Sequence, residues 1–340
     1  MRVFRNFKAG KTSRKATIAF FFLVVLNFPF INGKCDENIL ANDASYTQNT
    51  IALIKTNLND CNKKVAWLED IELQSVPLFY VFYEKNSFAP VWTIGNKLTK
   101  QSEILIEMFK DSYKYGFEPA NFNIKELDLY SHLLLSEKQV KKSADLRARF
   151  EFLMTNSVFT FMLYLKHGTQ YSGTDDVFIN GDSIISSFPA YLIGVLSSEN
   201  LKDEILRFQP DNSEYVSMQH EIEMIIANMD ISDKSIEERN IQIDTISLCN
   251  LFSYLNNRKW NTDVTTGPVN PKVFTSMLIE FQTDAGIRVS GKIDMTTLKT
   301  LSSIFRARCA EIAYNLEMIR RGAKFFENSI TLNHWKEMVF

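Results

Sequence analysis

Residues 274–301 read FTSMLIEFQTDAGIRVSGKIDMTTLKTL, and this stretch decides the fold of its part of the chain. Apolar residues recur at helical spacing from Phe274 to Phe281, which predicts an amphipathic helix. Gly286 follows a few residues later, where a left-handed residue commonly ends a helix. The first half of the stretch is therefore predicted to be a helix capped by glycine.

The second half of the stretch predicts a short extended link and another helix. Ile287 begins the link with an apolar side chain that we expect to reach the core. Gly291 allows a tight turn because glycine adopts positive φ without a steric penalty. Asp294 stands where an N-cap residue is expected, and Leu298 and Leu301 follow on one helical face. The stretch is thus predicted to be a helix, a glycine-containing loop and a second helix.

This pattern resembles the three-helix peptidoglycan-binding domain, whose signature runs Phe-Gln, Gly-Leu, Asp-Gly and Thr-Leu. The matching residues, most of which serve packing and turns, are Phe281, Gln282, Gly286, Ile287, Gly291, Asp294, Thr297 and Leu298. Ile287 replaces the usual Leu, and Ser290 replaces the usual Asp. The resemblance implies peptidoglycan as the partner. Polar residues beside the loop from Gly286 to Asp294 are the candidate contact surface.

Flanking segments resemble parts of large L,D-transpeptidases, which join such a domain to a helical scaffold. Residues 82–92, 115–122, 151–168 and 209–215 resemble four segments of that scaffold in the same order. Residues 310–321 resemble the Asn-Leu-Glu-Arg-x-Arg helix that follows the binding domain. The residues that carry the scaffold signature are Tyr83, Pro90, Trp92, Gly116, Pro119, Thr155, Gly168, Pro210 and Tyr215.

The catalytic motif of that family has no match in the sequence. Family members use the Cys of a Ser-x-Gly-Cys-x-Arg motif to attack the peptide stem of peptidoglycan. Only Ile330 to Asn333 resemble the start of such a domain. We therefore predict no catalytic residue and no cofactor for this chain. The predicted role is non-catalytic: binding peptidoglycan or scaffolding its cross-linking, with cell-wall cross-linking enzymes as candidate partners.

Three alternatives stay open from the sequence. The chain could be a truncated or frame-shifted L,D-transpeptidase, in which case the activity would depend on lost sequence. It could also be a protein-interaction module without glycan affinity. A fainter alternative is a hydrolase that uses a carboxylate pair which the sequence does not reveal.

Other chemical motifs are incomplete. His220-Glu221 begins like a zinc-protease helix, but Met224 occupies the position of the second histidine, so no metal site is predicted. Cys35 could pair with Cys61 after export, and Cys249 could pair with Cys309 too, but spacing cannot decide this. Otherwise these cysteines read as structural thiols.

The N-terminus predicts export to the periplasm or cell envelope. Six basic residues and no acidic residue precede an apolar run that ends at Ile31. This arrangement is typical of a secretory signal peptide, and membrane association is expected only if it stays uncleaved. Without residues 1–33, 32 Lys and Arg face 40 Asp and Glu, which gives a net charge of −8. This acidic balance argues against a nucleic-acid partner.

The predicted fold class is mainly α, because 12 Gly and 8 Pro among 340 residues favour helices over a turn-rich β architecture. The apolar periodicity from Ala144 to Lys166 predicts a core helix that stops before Gly168. The aromatic run from Leu78 to Tyr83 fits a buried helix or a strand, and Pro77 before it favours the helix.

A helical scaffold domain is predicted to precede a three-helix, peptidoglycan-binding-like domain. The predicted divisions are a signal peptide at 1–33, a linker at 34–44, the scaffold domain at 45–230, a linker at 231–244, the binding-like domain at 245–305, and a connecting helix with the start of a missing catalytic domain at 306–340.

Overall fold

A computed structural model describes residues 37–59, 73, 76–137, 140–169, 183–237, 248 and 271–322 of the chain. Several predicted segments lie outside these residues: the signal peptide, residues 238–244 of the second linker, residues 245–247 and 249–270 of the binding-like domain, and the start of a catalytic domain at 330–333. From Ser45 onward, the described residues belong to one compact unit.

The fold is mainly α, as predicted. The regular secondary structure of the described residues consists of ten α-helices, two short 3₁₀ helices and one two-stranded hairpin. In chain order the α-helices are α1 Glu37–Asn59, α2 Val76–Lys85, α3 Lys100–Lys110, α4 Ile124–Ser136, α5 Val140–His167, α6 Ser183–Val195, α7 Leu201–Leu206, α8 Ser213–Glu237, α9 Pro271–Asp284 and α10 Met295–Arg320. The remaining elements are strands β1 Thr93–Ile94 and β2 Lys97–Leu98, paired antiparallel, and 3₁₀ helices η1 Ser112–Tyr115 and η2 Pro119–Phe122.

Helix α5 is the centre of the first hydrophobic core. Every residue from Phe150 to Leu165 is buried, so the helix is surrounded by protein on all sides in this range. Phe159 and Phe161 contact aromatic side chains from other elements, with ring centroids 5.1–6.3 Å apart. Such aromatic pairs add to the stabilisation that comes from burial of their area. The predicted core helix ending before Gly168 is confirmed.

Helix α2 contains the aromatic run from Leu78 to Tyr83, whose sequence fitted either a helix or a strand and favoured the helix. It contains Pro77 in its first turn, where the missing N–H removes no helical hydrogen bond. Leu78, Phe79, Phe82 and Tyr83 are buried, at the i, i+1, i+4, i+5 spacing of one helical face. The predicted helix is confirmed.

A second hydrophobic core lies between α8, α9 and α10. Helix α8 contributes Tyr215, Ile222, Ile225 and Met229 to this core, and it extends to Glu237, inside the segment predicted as a linker. The other buried members are Leu248, Leu278, Phe281, Ala285, Leu298, Leu301, Phe305, Ile312 and Leu316. A helix from the predicted scaffold domain therefore shares its core with the stretch at 274–301.

None of the helices in the described part of the chain is long and apolar enough to cross a membrane.

Candidate functional site

Gln282 organises the loop between α9 and α10. Its buried side chain accepts hydrogen bonds from the backbone N–H groups of Ser290 and Gly291, both at 2.9 Å. Its amide group donates to the carbonyl oxygen of Lys292 at 2.9 Å and to Thr297 Oγ1 at 3.1 Å. One side chain thus satisfies three backbone groups of the loop, which fixes the loop's conformation.

Two glycines of the signature have the backbone conformation that the sequence predicted. Gly286 and Gly291 have φ values of 64° and 61°. At Gly291 an added Cβ would lie 3.3 Å from Cγ1 of Ile279, so the loop also packs tightly against α9. Both the conformation and the close approach favour glycine at position 291.

Asp294 caps α10, as predicted. Its carboxylate accepts hydrogen bonds from the backbone N–H and the hydroxyl of Thr297, both at 2.8 Å. These bonds lower the pKa of Asp294, which favours the charged cap at neutral pH. Phe281, Leu298 and the side chain of Thr297 are buried, and Ile287 is half-buried. The structure therefore brings the signature residues together, and it gives each of them a packing or turn role.

A buried carboxylate joins three residues of the scaffold signature. Glu151 accepts hydrogen bonds from the backbone N–H groups of Val91 and Trp92, at 2.8 and 2.9 Å, and from Thr93 Oγ1 at 2.9 Å. The hydroxyl of Tyr83 donates to it at 3.2 Å. The indole N–H of Trp92 donates to Thr155 Oγ1 at 2.8 Å, one helical turn along α5. Tyr83, Trp92 and Thr155 thus meet at Glu151.

Burial raises the pKa of Glu151 to about 7, and the hydrogen bonds from Val91, Thr93, Trp92 and Tyr83 oppose this shift. Burial and the neighbouring charge of Glu151 also raise the pKa of Tyr83. The carboxylate is fully buried. The arrangement therefore ties the segment before α3 to helix α5.

A second cluster, here termed the α10 junction, forms where α10 meets the scaffold elements. It comprises Tyr115, Gly116, Phe117, Gly168, Thr169, Tyr215, Glu317 and Arg320.

Arg320 is the centre of the α10 junction. Its guanidinium donates to the hydroxyl of Tyr215, at 3.0 and 2.6 Å, and to the carbonyl oxygen of Tyr115. It also stacks on the ring of Phe117, with Cζ 4.2 Å from the ring centroid. Cation–π contact is stronger when the cation is desolvated, and Arg320 is buried.

Glu317 connects the same helix to the end of α5. Its Oε1 accepts hydrogen bonds from the backbone N–H of Thr169 at 2.7 Å and from the Thr169 hydroxyl at 3.1 Å. Gly168 has a φ of 84°, and an added Cβ there would lie 2.5 Å from Glu317 Oε1. At Gly116, with a φ of 74°, an added Cβ would lie 3.0 Å from Cα of Ala313. Both glycines therefore permit the close approach of α10.

The predicted scaffold residues fall into two groups and a remainder. Tyr83, Trp92 and Thr155 meet at Glu151, whereas Gly116, Gly168 and Tyr215 meet at the α10 junction. The three prolines take part in neither hydrogen-bond network: Pro90 precedes Trp92, Pro119 begins η2 and Pro210 precedes α8.

The predicted signature did not include Glu151, Glu317 and Arg320, although the segments that contain them were recognised. Each is a charged residue on the apolar face of a helix. A charged residue at such a position is almost never fully buried unless it is paired. A charge within an apolar helical face is therefore the sequence signal that could have identified Glu151, Glu317 and Arg320.

The structure supports no nucleophile at Cys309. Burial, with the nearby charge of Glu221, raises the pKa of its free thiol to about 11, so the thiol is protonated at neutral pH. Its candidate disulfide partner Cys249, like Cys35 and Cys61, lies outside the described residues. Within the described part of the chain, no group of three or more His, Cys, Asp or Glu side chains could hold a metal ion.

Comparison with known proteins bears on the predicted scaffold domain. No curated protein and no solved structure matches the chain. Residues 78–222, however, match the family model described as Scaffold domain, which is the scaffold domain of L,D-transpeptidases. The scaffold part of the resemblance is thereby confirmed, and the peptidoglycan-binding part stays a prediction.

Proposed function

We propose that this protein is a peptidoglycan-associated scaffold of the cell envelope, which holds murein or a partner in place for cross-linking enzymes. The observation that carries the proposal is the loop between α9 and α10. Its Gln282-centred hydrogen bonds, its two glycines with positive φ and its Asp294 cap are what the resemblance to a peptidoglycan-binding domain implies for these residues.

The α10 junction supports the same proposal. Helix α10 belongs to the second core at its N-terminal end and contacts the Scaffold-domain segments at its C-terminal end, through Glu317 and Arg320. A protein that scaffolds cross-linking needs its binding surface held relative to the rest of the molecule. The hydrogen bonds of Glu317 with Thr169 and of Arg320 with Tyr215 provide that connection.

Co-sedimentation of the full chain with purified sacculi tests the proposal. We expect a saturable fraction of the protein to pellet with sacculi, and no pelleting with chitin, an insoluble glycan without peptide stems. Absence of pelleting with sacculi would contradict peptidoglycan binding, and a role in binding proteins alone would then be the better account.

The second candidate function is a part in L,D-transpeptidation, which the Scaffold-domain match favours. Here the chain would supply the scaffold of an enzyme whose nucleophile lies in sequence beyond it. Reading the genomic DNA on the 3′ side in all three forward frames distinguishes the two. A Ser-x-Gly-Cys-x-Arg motif in any frame would support the transpeptidase, whereas its absence would favour the non-catalytic scaffold.

A further inference from the structure

Part of the backbone of the loop between α9 and α10 is already hydrogen-bonded within the protein. The N–H groups of Ser290 and Gly291 and the carbonyl of Lys292 are already bound by Gln282. The Ser290 hydroxyl donates to that same carbonyl, at 3.1 Å, and accepts from the Lys292 N–H, at 3.2 Å. These backbone groups are therefore engaged, whereas the side chains of Arg288, Val289 and Lys292 project from the loop and are exposed.

Two of those side chains are exposed cations. Arg288 and Lys292 are exposed, and within the described residues neither forms a side-chain hydrogen bond or ion pair. The nearby carboxylate of Asp294 is engaged in capping α10, and Arg288 contributes to lowering its pKa. The projecting charge of the loop is thus positive, on a chain whose formal net charge is −2.

The surface beside these cations is aliphatic. Val289 is 52% exposed, and Ile279, which packs against Gly291, is 42% exposed. The hydroxyls of Thr275 and Thr283, on the same face of α9, donate to carbonyls of their own helix at 2.9 and 2.7 Å. This face consequently presents aliphatic groups rather than free hydroxyls.

We propose that this loop binds the peptide stems of murein rather than its glycan strands. The stem carboxylates pair with Arg288 and Lys292, and small aliphatic side chains of the stem contact Val289 and Ile279. Charge complementarity selects this ligand, because stem peptides combine carboxylates with short alkyl groups. The inference rests on the proposed function and specifies its ligand.

Competition during sacculus binding tests the inference. The full chain is bound to sacculi and then challenged with free tetrapeptide stems or with glycan strands stripped of peptide. We expect the stems to displace the protein and the stripped glycan to leave it bound. Displacement by glycan alone would overturn the inference while preserving the proposed function. Absence of binding to sacculi would overturn both.

A charge-reversal pair tests the residues. The double variant Arg288→Glu/Lys292→Glu is expected to bind sacculi about tenfold more weakly, since two exposed ion pairs are lost and replaced by repulsion. The matched control is Lys100→Glu/Lys125→Glu, two exposed lysines in the first turns of α3 and α4, where acidic residues are tolerated. Equal losses in the two double variants would mean that net charge alone governs binding, which would overturn the inference. Circular dichroism verifies that both variants are folded.

Discussion

Glu151 shows most clearly how a single residue determines local structure. Both of its carboxylate oxygens accept hydrogen bonds from a segment that lies about sixty residues earlier in the chain. A carboxyl group has about four acceptor sites when it is ionised and keeps acceptor sites when it is protonated, so it can serve the donors that surround it. The carboxylate therefore holds the Trp92 segment against α5.

Replacing Glu151 by Gln is expected to lower the free energy of unfolding by about 1–3 kcal/mol at pH 5. At this pH the wild-type carboxyl is protonated and carries one hydrogen, whereas the amide NH₂ carries two and faces donors, so at least one donor would lose its acceptor. Urea denaturation measures this loss. The control Glu84→Gln, at an exposed position, is expected to stay within about 0.5 kcal/mol of wild type. A change that small for Glu151→Gln would contradict the role assigned to the carboxylate.

The pKa of Glu151 also predicts a pH dependence of stability. Burial raises the pKa in the folded state to about 7, from 4.5 in the unfolded chain. Between these two values the folded state retains a proton that the unfolded state releases. The stabilisation by this proton is complete below about pH 4.5 and is lost as the pH rises through 7. The difference in unfolding free energy between wild type and Glu151→Gln is therefore expected to shrink by about 2–3 kcal/mol from pH 5 to pH 8. A difference that stays constant would contradict the raised pKa.

At the scale of elements, close approach depends on glycine where α10 crosses the end of α5. Gly168→Ala is expected to destabilise the protein by at least about 1–2 kcal/mol, because the residue has positive φ and its new Cβ would meet Glu317. The matched control is Gly194→Ala, within α6, where nothing lies within 4 Å of an added Cβ. There the higher helix propensity of Ala is expected to stabilise by up to about 1 kcal/mol. Thermal unfolding of both variants measures the contrast, and effects of equal sign would contradict it.

The loop after α9 provides a second prediction at this scale. Gln282→Met keeps the approximate size of the side chain but removes the hydrogen bonds to Ser290, Gly291 and Lys292. We expect a loss of about 2–4 kcal/mol and faster hydrogen exchange at the amides of Ser290 and Gly291. The exposed neighbour Thr283, changed to Ala, serves as the control. Unchanged exchange at both amides in Gln282→Met would show that the loop is held by other contacts.

The sequence predicted individual helices and caps better than it predicted the tertiary contacts between them. Helix α5 and the Gly286 and Asp294 caps follow from periodicity and local chemistry, which act over a few residues. The contact between Glu317 and Thr169 spans 148 residues, and no local pattern encodes it. The participation of α8 in the second core was missed for the same reason, since an apolar face indicates burial but does not identify the partner.

At the scale of the whole molecule, the two hydrophobic cores are linked by polar contacts as well as by packing. Arg308 on α10 is almost buried and pairs with Glu221 of α8 and with Glu311, each at 2.7 Å. Together with the α10 junction, the pair with Glu221 fastens α10 along α8, whereas Glu311 lies on α10 itself. Breaking one partner of a buried ion pair is costly because the other charge remains desolvated.

Arg320→Met is therefore expected to affect both sides of the junction. Loss of the guanidinium leaves the hydroxyl of Tyr215 and the carbonyl of Tyr115 without their donor. We expect faster hydrogen exchange at the C-terminal end of α10 and also around Phe117, 203 residues earlier. The control is Lys299→Met, at an exposed position on the same helix, and it is expected to have a smaller effect. Faster exchange confined to α10 would contradict coupling across the junction.

Helix α10 has a mechanical consequence that follows from its length. Twenty-six residues of uninterrupted helix span about 39 Å, with the capped loop at one end and Arg320 at the other. A continuous helix is a stiff strut. If the loop is anchored to a stretched polymer, tension is transmitted along this strut with little compliance. The tension then acts on the segment around Phe117, whose ring stacks against Arg320, far from the point of attachment.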